Sequence, residues 1–193
     1  MHLDKKYFLK AIGNKRYKNA FEWCAGHGEI GFELITAGLC ETLSFSDIHP
    51  GSEEWCLKNA TSLGLADNVR AYTTPTISKI PTSEKWDLVV GNPPNSLDVD
   101  PVALADMIEK GLSKDHIQTF ARTTWDIGLK THRDFFQNIS KYLADDADIF
   151  ISCQISQLSL LSEPFAKYGF KLVKIFDMLP DDPGLKVFHI KSV

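Results

Sequence analysis

The feature that most constrains this chain is its alternation of short apolar runs with helix-length segments, ending in two runs too close together for a helix between them. Strand-like runs fall at Ala20–Cys24, Thr42–Asp47, Val69–Thr73, Trp86–Gly91 and Asp148–Cys153. Helical spacing covers Glu29–Cys40, Ser52–Leu63, Pro101–Gly111, Thr131–Leu143 and Leu158–Tyr168. This order predicts an α/β fold with helices on both faces of a mostly parallel sheet. The last two runs, Phe170–Asp177 and Leu185–Lys191, are separated only by Met178–Gly184, which holds two prolines and a glycine. A parallel crossover needs about a dozen residues or more, so these two runs pair antiparallel. The expectation is one seven-stranded domain, parallel except for a C-terminal hairpin strand.

A length of 193 residues suits a single core. With 44% hydrophobic and 24% charged residues, the chain falls outside disordered and collagen-like compositions. No apolar run reaches the roughly 18 to 20 residues of a membrane helix. The opening MHLDKKYFLK has no signal-peptide apolar core. Cys24, Cys40, Cys56 and Cys153 are widely spaced without a CxxC pair, so a zinc knuckle or disulfide framework is not indicated. A reduced, cytoplasmic setting is expected, with no membrane partner. The net charge of −4 is unevenly divided. Residues 1–20 carry six Lys/Arg against Asp4, or +5, and the rest carry 15 against 24, or −9. The leader, residues 1–17, reads as a basic helical segment with apolar Leu3, Tyr7, Phe8 and Ile12, ahead of a domain over 18–193.

Ligands of open α/β sheets bind outside the carboxyl ends of the strands, where the strand order switches. Three such loops stand out here: 22–31, 47–51 and 91–130. In the first, Gly26, Gly28 and Gly31 spell GxGxxG, and Asp47 follows one strand later. Glycines there let backbone approach a ligand, and the following helix N-terminus favours an anion. A dinucleotide-binding oxidoreductase would fit this spacing. Glu22 argues against it, because a carboxylate at the strand end must be paired or meet a charged ligand. His27 and His49 lie nearby, but too few further ligands accompany them to hold a metal, and they read as polar rim residues.

Glu22-x-Cys24-Ala25-Gly26-x-Gly28 resembles the acidic, glycine-rich loop of class I S-adenosylmethionine-dependent methyltransferases, and Asp47 the acid ending their second strand. The resemblance implies a Rossmann-like methyltransferase domain that uses S-adenosyl-L-methionine. It implies that Glu22 faces the methionine ammonium and that Gly26 and Gly28 give backbone access. It places Asp47 on the ribose hydroxyls and Ile48 against the adenine, with Cys24 standing where the family has its first glycine. After the third strand the family often has an acid; Tyr72-Thr-Thr-Pro-Thr76 offers Thr74 or a backbone group instead.

The most specific motif is WDLVVGNPPNS. Pro93 biases Asn92 toward extended geometry, Pro94 does the same to Pro93, and neither proline donates a hydrogen bond. The product is a stiff loop presenting the Asn92 side-chain oxygen and the Pro93 carbonyl. This resembles the Asn-Pro-Pro-aromatic motif of amino-methylating class I enzymes: glutamine methyltransferases of release factors, guanine-N2 methyltransferases of ribosomal RNA, and adenine-N6 methyltransferases. It implies that Asn92 and Pro93 take the two hydrogens of an amide or exocyclic amine and stabilise positive charge on its nitrogen. Asn95 replaces the stacking aromatic, so Trp125 or Phe120 must supply a ring, or the target is not a flat base.

Residues 95–130 are long for a connection and read as a substrate lid. Pro94, Asn95, Trp125, Asp126 and His132 are the candidate substrate contacts; an alternative for His132 is a hydrogen bond at a helix start. The readings that follow are an N-methyltransferase acting on a small molecule or protein side chain, and methylation of an exocyclic amine in RNA or DNA gripped by residues 1–18. An NAD-dependent oxidoreductase and a cofactor-binding module without catalysis are the readings from other classes.

Overall fold

The computed structural model describes residues 5–179 and 182–193; the expectations falling on residues 1–4 of the leader and on Pro180 and Asp181 lie outside them. Seven strands form one sheet: β1 (Tyr17–Trp23), β2 (Cys40–Asp47), β3 (Val69–Thr73), β4 (Trp86–Gly91), β5 (Leu143–Gln154), β6 (Phe170–Asp177) and β7 (Leu185–Ser192). Their order is β3-β2-β1-β4-β5-β7-β6. β7 runs antiparallel to both β5 and β6, and the other pairings are parallel. The helices are α1 (Lys6–Ile12), α2 (Glu29–Thr36), α3 (Ser52–Ser62), α4 (Pro101–Glu109), α5 (Lys114–Thr124), α6 (Lys130–Ile139) and α7 (Leu158–Tyr168). The expected α/β sheet with its antiparallel hairpin strand is present.

Alternation along β1 divides the core. Phe21 and Trp23 face a layer with Trp86, Phe135, Phe136 and Tyr142, while Ala20 faces the layer of Phe8, Leu34, Leu43 and Phe45. Phe21 stacks on Trp86 at 3.9 Å and 7°. Period two therefore sends Glu22 to the α2 face. β1 and β4 lie side by side in register, Trp23 opposite Gly91. A Cβ on Gly91 would stand 2.9 Å from the Trp23 carbonyl oxygen, so only glycine fits this strand end.

Several boundaries differ from the sequence reading. β1 starts at Tyr17 rather than Ala20, because the Asp87 carboxylate accepts from the backbone N–H groups of Lys18 and Asn19, both at 2.8 Å. The second helix ends at Thr36, and the chain turns through Gly38 (φ +68) into β2. β5 reaches back to Leu143, through polar residues that carry no apolar pattern. α5 is a helix beyond the sequence reading: Ile117, Phe120 and Ala121 share one face at helical spacing, but none of its residues is buried.

The amino edge of the sheet is closed by a polar knot. Asp148, 3% exposed, accepts from Lys15 Nζ at 2.6 Å, Tyr17 OH at 2.9 Å and His189 Nε2 at 2.6 Å. Burial opposes its ionisation, but these hydrogen bonds prevail and hold its carboxyl down at about 2. The same knot pushes the Tyr17 hydroxyl up, through burial first and then Asp148. Lys15, Arg16 and Lys18 thus lie at the amino ends of the strands, the edge opposite the loops that follow β1, β2 and β4.

Candidate functional site

A cavity of about 660 Å³ opens at the carboxyl ends of β1–β4, within the size range of small-molecule sites. One side of it is built from the turns after β1, β2 and β3. Glu22, 2% exposed, accepts from the backbone N–H of Gly31 at 2.6 Å and of Ile30 at 3.4 Å, at the start of α2. Burial raises its carboxyl to about 8 against those two hydrogen bonds, with Asp47 and Glu29 adding to the rise. A Cβ on Gly31 would lie 2.8 Å from Glu22 Oε2, so the third glycine of the motif serves close packing of helix on strand.

The turn itself is held by backbone. Cys24 has φ +56, Gly26 φ +53 and Gly28 φ +80. Ala25 N–H donates to the Ser46 carbonyl at 3.0 Å, which ties the turn to the end of β2. Asp47 accepts from Gly26 N–H at 2.8 Å through one oxygen and from His49 N–H at 2.7 Å through the other. Ser52 donates to the Gly26 carbonyl at 2.5 Å. Thr74 N–H donates to the Asp47 carbonyl at 2.8 Å, bringing the turn after β3 alongside. Glu22, Cys24, Ala25, Gly26, Asp47, Ile48 and Thr74 all line the cavity. Gly28 does not: it caps α2, where a Cβ would meet Phe45 at 2.7 Å. The Cys24 thiol is pushed well up, by burial first and then by Asp47, so it is a neutral wall residue.

One wall residue escaped the sequence reading. Trp55 of α3 lines the cavity between His27 and His49, with ring centroids 4.3 and 4.7 Å away and both pairs stacked. The signal was available: Ser52, Trp55 and Cys56 share one helix face, and Ser52 and Cys56 both reach the Gly26 carbonyl.

The other side of the cavity comes from β4 and the lid. Asn92 and Pro94 line it; Pro93 is buried behind them. The Asn92 side-chain oxygen accepts from the Ser152 hydroxyl and, at 3.4 Å, from Asn95 Nδ2. Asn95 Nδ2 also donates to Ser152 Oγ at 3.2 Å, and Gln157 Nε2 donates to the Asn95 carbonyl at 3.2 Å. Asn95 therefore braces Asn92 from outside the cavity instead of occupying a stacking position, and its own Oδ1 is buried without a partner among the described residues.

From the lid, Arg122 and Thr123 of α5 line the cavity, and Lys130, Thr131 and Asp134 of α6 complete the wall. Asp134 accepts from the Thr76 hydroxyl at 2.5 Å, joining α6 to the turn after β3. Besides Asn95, three expected substrate contacts lie elsewhere. His132, 0% exposed, pairs through Nδ1 with Asp126 Oδ2 at 2.6 Å, and Asp126 also accepts from the Thr131 and His132 amides. The pair caps the start of α6, the helix-start alternative for His132. Burial opposes ionisation of Asp126, and the His132 and Thr131 hydrogen bonds outweigh it and keep its carboxyl low. Trp125 packs edge-on against Phe120 at 5.7 Å, and neither ring lines the cavity. Among the described residues no cluster of three or more His, Cys, Asp or Glu could hold a metal, and no helix is long and apolar enough to cross a membrane.

No protein-family model and no curated protein matches the sequence. Solved structures do match the fold. The ribosomal protein L11 methylase of Lactobacillus delbrueckii subsp. bulgaricus superposes with a TM-score of 0.66 at 14% identity, over 97% of this chain and 76% of that one. TrmN of Thermus thermophilus gives 0.66 at 14% identity over 98% of this chain, which spans 48% of TrmN. The O-methyltransferase of a trans-AT polyketide synthase multienzyme of Brevibacillus brevis, crystallised with S-adenosyl-L-homocysteine, gives 0.69 at 12% identity over 99% of this chain and 72% of that one. The fold is that of the class I S-adenosylmethionine-dependent methyltransferases.

Proposed function

We propose that this protein is an S-adenosylmethionine-dependent methyltransferase. The observation that carries the reading is the convergence on one cavity of the Glu22 and Asp47 carboxylates, the Gly26 backbone and the Asn92 amide, all at carboxyl ends of strands around the β1/β4 switch point. The lining fits the cofactor. Glu22, Glu29 and Asp47 suit a cationic ligand, and the space beside Gly26, empty within 4 Å of where a Cβ would stand, admits close approach. Glu22 would meet the ammonium, Asp47 the ribose hydroxyls, and Ile48 and Trp55 the adenine. When bound, the cofactor supplies an electrophilic methyl group on sulfur.

The remaining task for the chain is to hold the acceptor in line with that methyl group and to stabilise charge on the attacking atom. The Asn-Pro-Pro sequence after β4 supports a nitrogen acceptor, an amide or amine of a small molecule or protein, held at Asn92; Pro93, expected to present its carbonyl, is buried outside the lining. A second reading has its own observation. Asn92 Oδ1 already takes hydrogen bonds from Ser152 and Asn95, which leaves its NH2 as the end with capacity to spare and suits an oxygen acceptor. The experiment is transfer of labelled methyl from S-adenosylmethionine into fractionated cell extract, followed by acid hydrolysis or alkali. Label recovered as methylamine or an N-methylated amine after acid hydrolysis supports nitrogen transfer; label released as methanol by alkali supports a carboxylate oxygen. Label confined to nucleic acid contradicts the small-molecule and protein reading, and failure of S-adenosylhomocysteine to bind contradicts the function itself.

A further inference from the structure

We propose that the methyl acceptor is a small molecule carrying an oxyanion, a carboxylate or a phosphate, bound by Arg122 and Lys130 on the lid side of the cavity. The proposal rests on the methyl-transfer reading above and names the acceptor class for that same site.

Arg122 comes from the last turn of α5 and Lys130 from the first residue of α6. The chain reverses between them through Gly128 (φ +68) and Leu129 (φ +55), and that reversal brings both cations to one cavity wall. Neither forms an ion pair among the described residues, whereas Lys5, Lys15, Lys110, Arg133, Lys186 and Lys191 all do. Asp134, Glu22 and Asp47 hydrogen-bond to other groups and form no ion pair with Arg122 or Lys130 among the described residues. Asp134, on the same wall, accepts from the Thr76 hydroxyl and from Asn138 Nδ2. Glu22 and Asp47, across the cavity, are turned to backbone amides.

Glu22, Glu29 and Asp47 thus stand on the side of β1 and β2, while the lid side carries Arg122 and Lys130, neither of them ion-paired among the described residues, against the single carboxylate of Asp134. A guanidinium offers a planar fork of donors that matches a carboxylate or phosphate, and an ammonium adds a point charge beside it. The Asn92 NH2 is a further donor on the same wall. These cations stand inside a cavity and not on a broad basic surface, and the chain beyond residue 20 carries −9 (15 Lys/Arg against 24 Asp/Glu), unfavourable for a nucleic-acid backbone. The small acceptor follows from that contrast.

The test is calorimetric titration of the protein saturated with S-adenosylhomocysteine. The probes are succinate, benzoate and pyrophosphate, with succinamide and benzamide as neutral partners and a short single-stranded RNA as a separate arm. At least one small anion should bind while its neutral partner does not. Arg122→Gln and Lys130→Gln should each weaken that anion by about tenfold, the scale of one charge-assisted hydrogen bond, with S-adenosylhomocysteine affinity unchanged. Both side chains are exposed, so neither substitution disturbs the core. Equal binding of the neutral partner, anion affinity indifferent to both substitutions, no anion binding at all, or RNA binding tighter than every small anion overturns the proposal. If S-adenosylhomocysteine binds and the anions fail, this inference alone falls; if S-adenosylhomocysteine does not bind the unsubstituted protein, the methyl-transfer reading falls with it.

Discussion

The two sides of the cavity are built in different ways. The side proposed for the cofactor comes from three successive strand-to-helix turns, and its polar groups are already in use: Asp47 fixes the turn after β1, and Glu22 fixes the start of α2. The side proposed for the acceptor joins Asn92, at the end of β4, to Arg122 and Lys130 on a helical insertion. That insertion is thinly anchored. α5 buries no residue and α4 only Met107. Elements with so few buried contacts open at low free-energy cost, as a lid over an exchanging substrate must. One side is therefore set by the sheet, while the other depends on a segment that can change without disturbing it.

The largest expected effect tests whether the two sides are separable. Asn92→Ala should lower methyl transfer by about 10²- to 10³-fold, the scale of losing one preorganised polar group at the reacting atom. S-adenosylhomocysteine affinity, measured by calorimetry, should stay within about twofold. A parallel loss of cofactor affinity would mean that Asn92 belongs to the cofactor side and that the division is drawn in the wrong place.

Next comes the reciprocal change. Asp47→Ala removes a carboxylate proposed for the ribose and frees the Gly26 and His49 amides it holds. Cofactor affinity should fall by about 10- to 100-fold, with the rate at saturating cofactor far less affected. A rate that drops while affinity holds would overturn this assignment.

The same contrast explains what could be read in advance. The sheet side was legible because each of its features is local: GxGxxG and Asp47 sit at the ends of apolar runs, and alternation alone sends Glu22 toward α2. The hairpin strand was legible because Met178–Gly184 is too short to cross over. The lid was not. α5 carries only the short stripe of Ile117, Phe120 and Ala121 in a polar segment, and Asp126 reads as a substrate contact until burial shows it with His132 capping α6, the helix-start reading of that histidine. Asn95 is the subtler case. Its sequence position matches a stacking residue, but its role depends on Ser152, 57 residues away on β5.

A smaller effect concerns charge on the cofactor side. Glu22 stands at about 8 in the folded protein against an ordinary 4.5. A carboxyl whose folded value is raised binds more protons folded than unfolded, so its contribution to stability is complete below 4.5 and is lost as pH rises through about 8. The melting temperature should therefore fall with pH across that interval, and Glu22→Gln should flatten the slope. A cationic ligand at Glu22 favours its ionised form, so cofactor binding below about pH 8 should release a proton in the unsubstituted protein and none in the variant. Calorimetry in two buffers of different ionisation enthalpy measures that proton; unchanged release in Glu22→Gln would place its source elsewhere.

The smallest expected effect probes how rigidly the cofactor side is held. Cys24 adopts φ +56, a conformation that costs an L-residue roughly 1–2 kcal/mol and glycine little. Alanine and glycine at this position both remove the thiol, but only glycine relieves the backbone. Glycine also has a more flexible unfolded chain, which offsets roughly 0.5–1 kcal/mol of the gain. Cys24→Gly should therefore be more stable than Cys24→Ala by up to about 1.5 kcal/mol in denaturant unfolding, a difference free of the lost Sγ contacts. Equal stability, or alanine ahead, would mean that the turn relaxes when substituted and that its positive φ is not imposed by Ala25, Asp47 and Ser52. The predicted order would instead show a turn fixed by its neighbours, which is what backbone access to the cofactor at Gly26 requires.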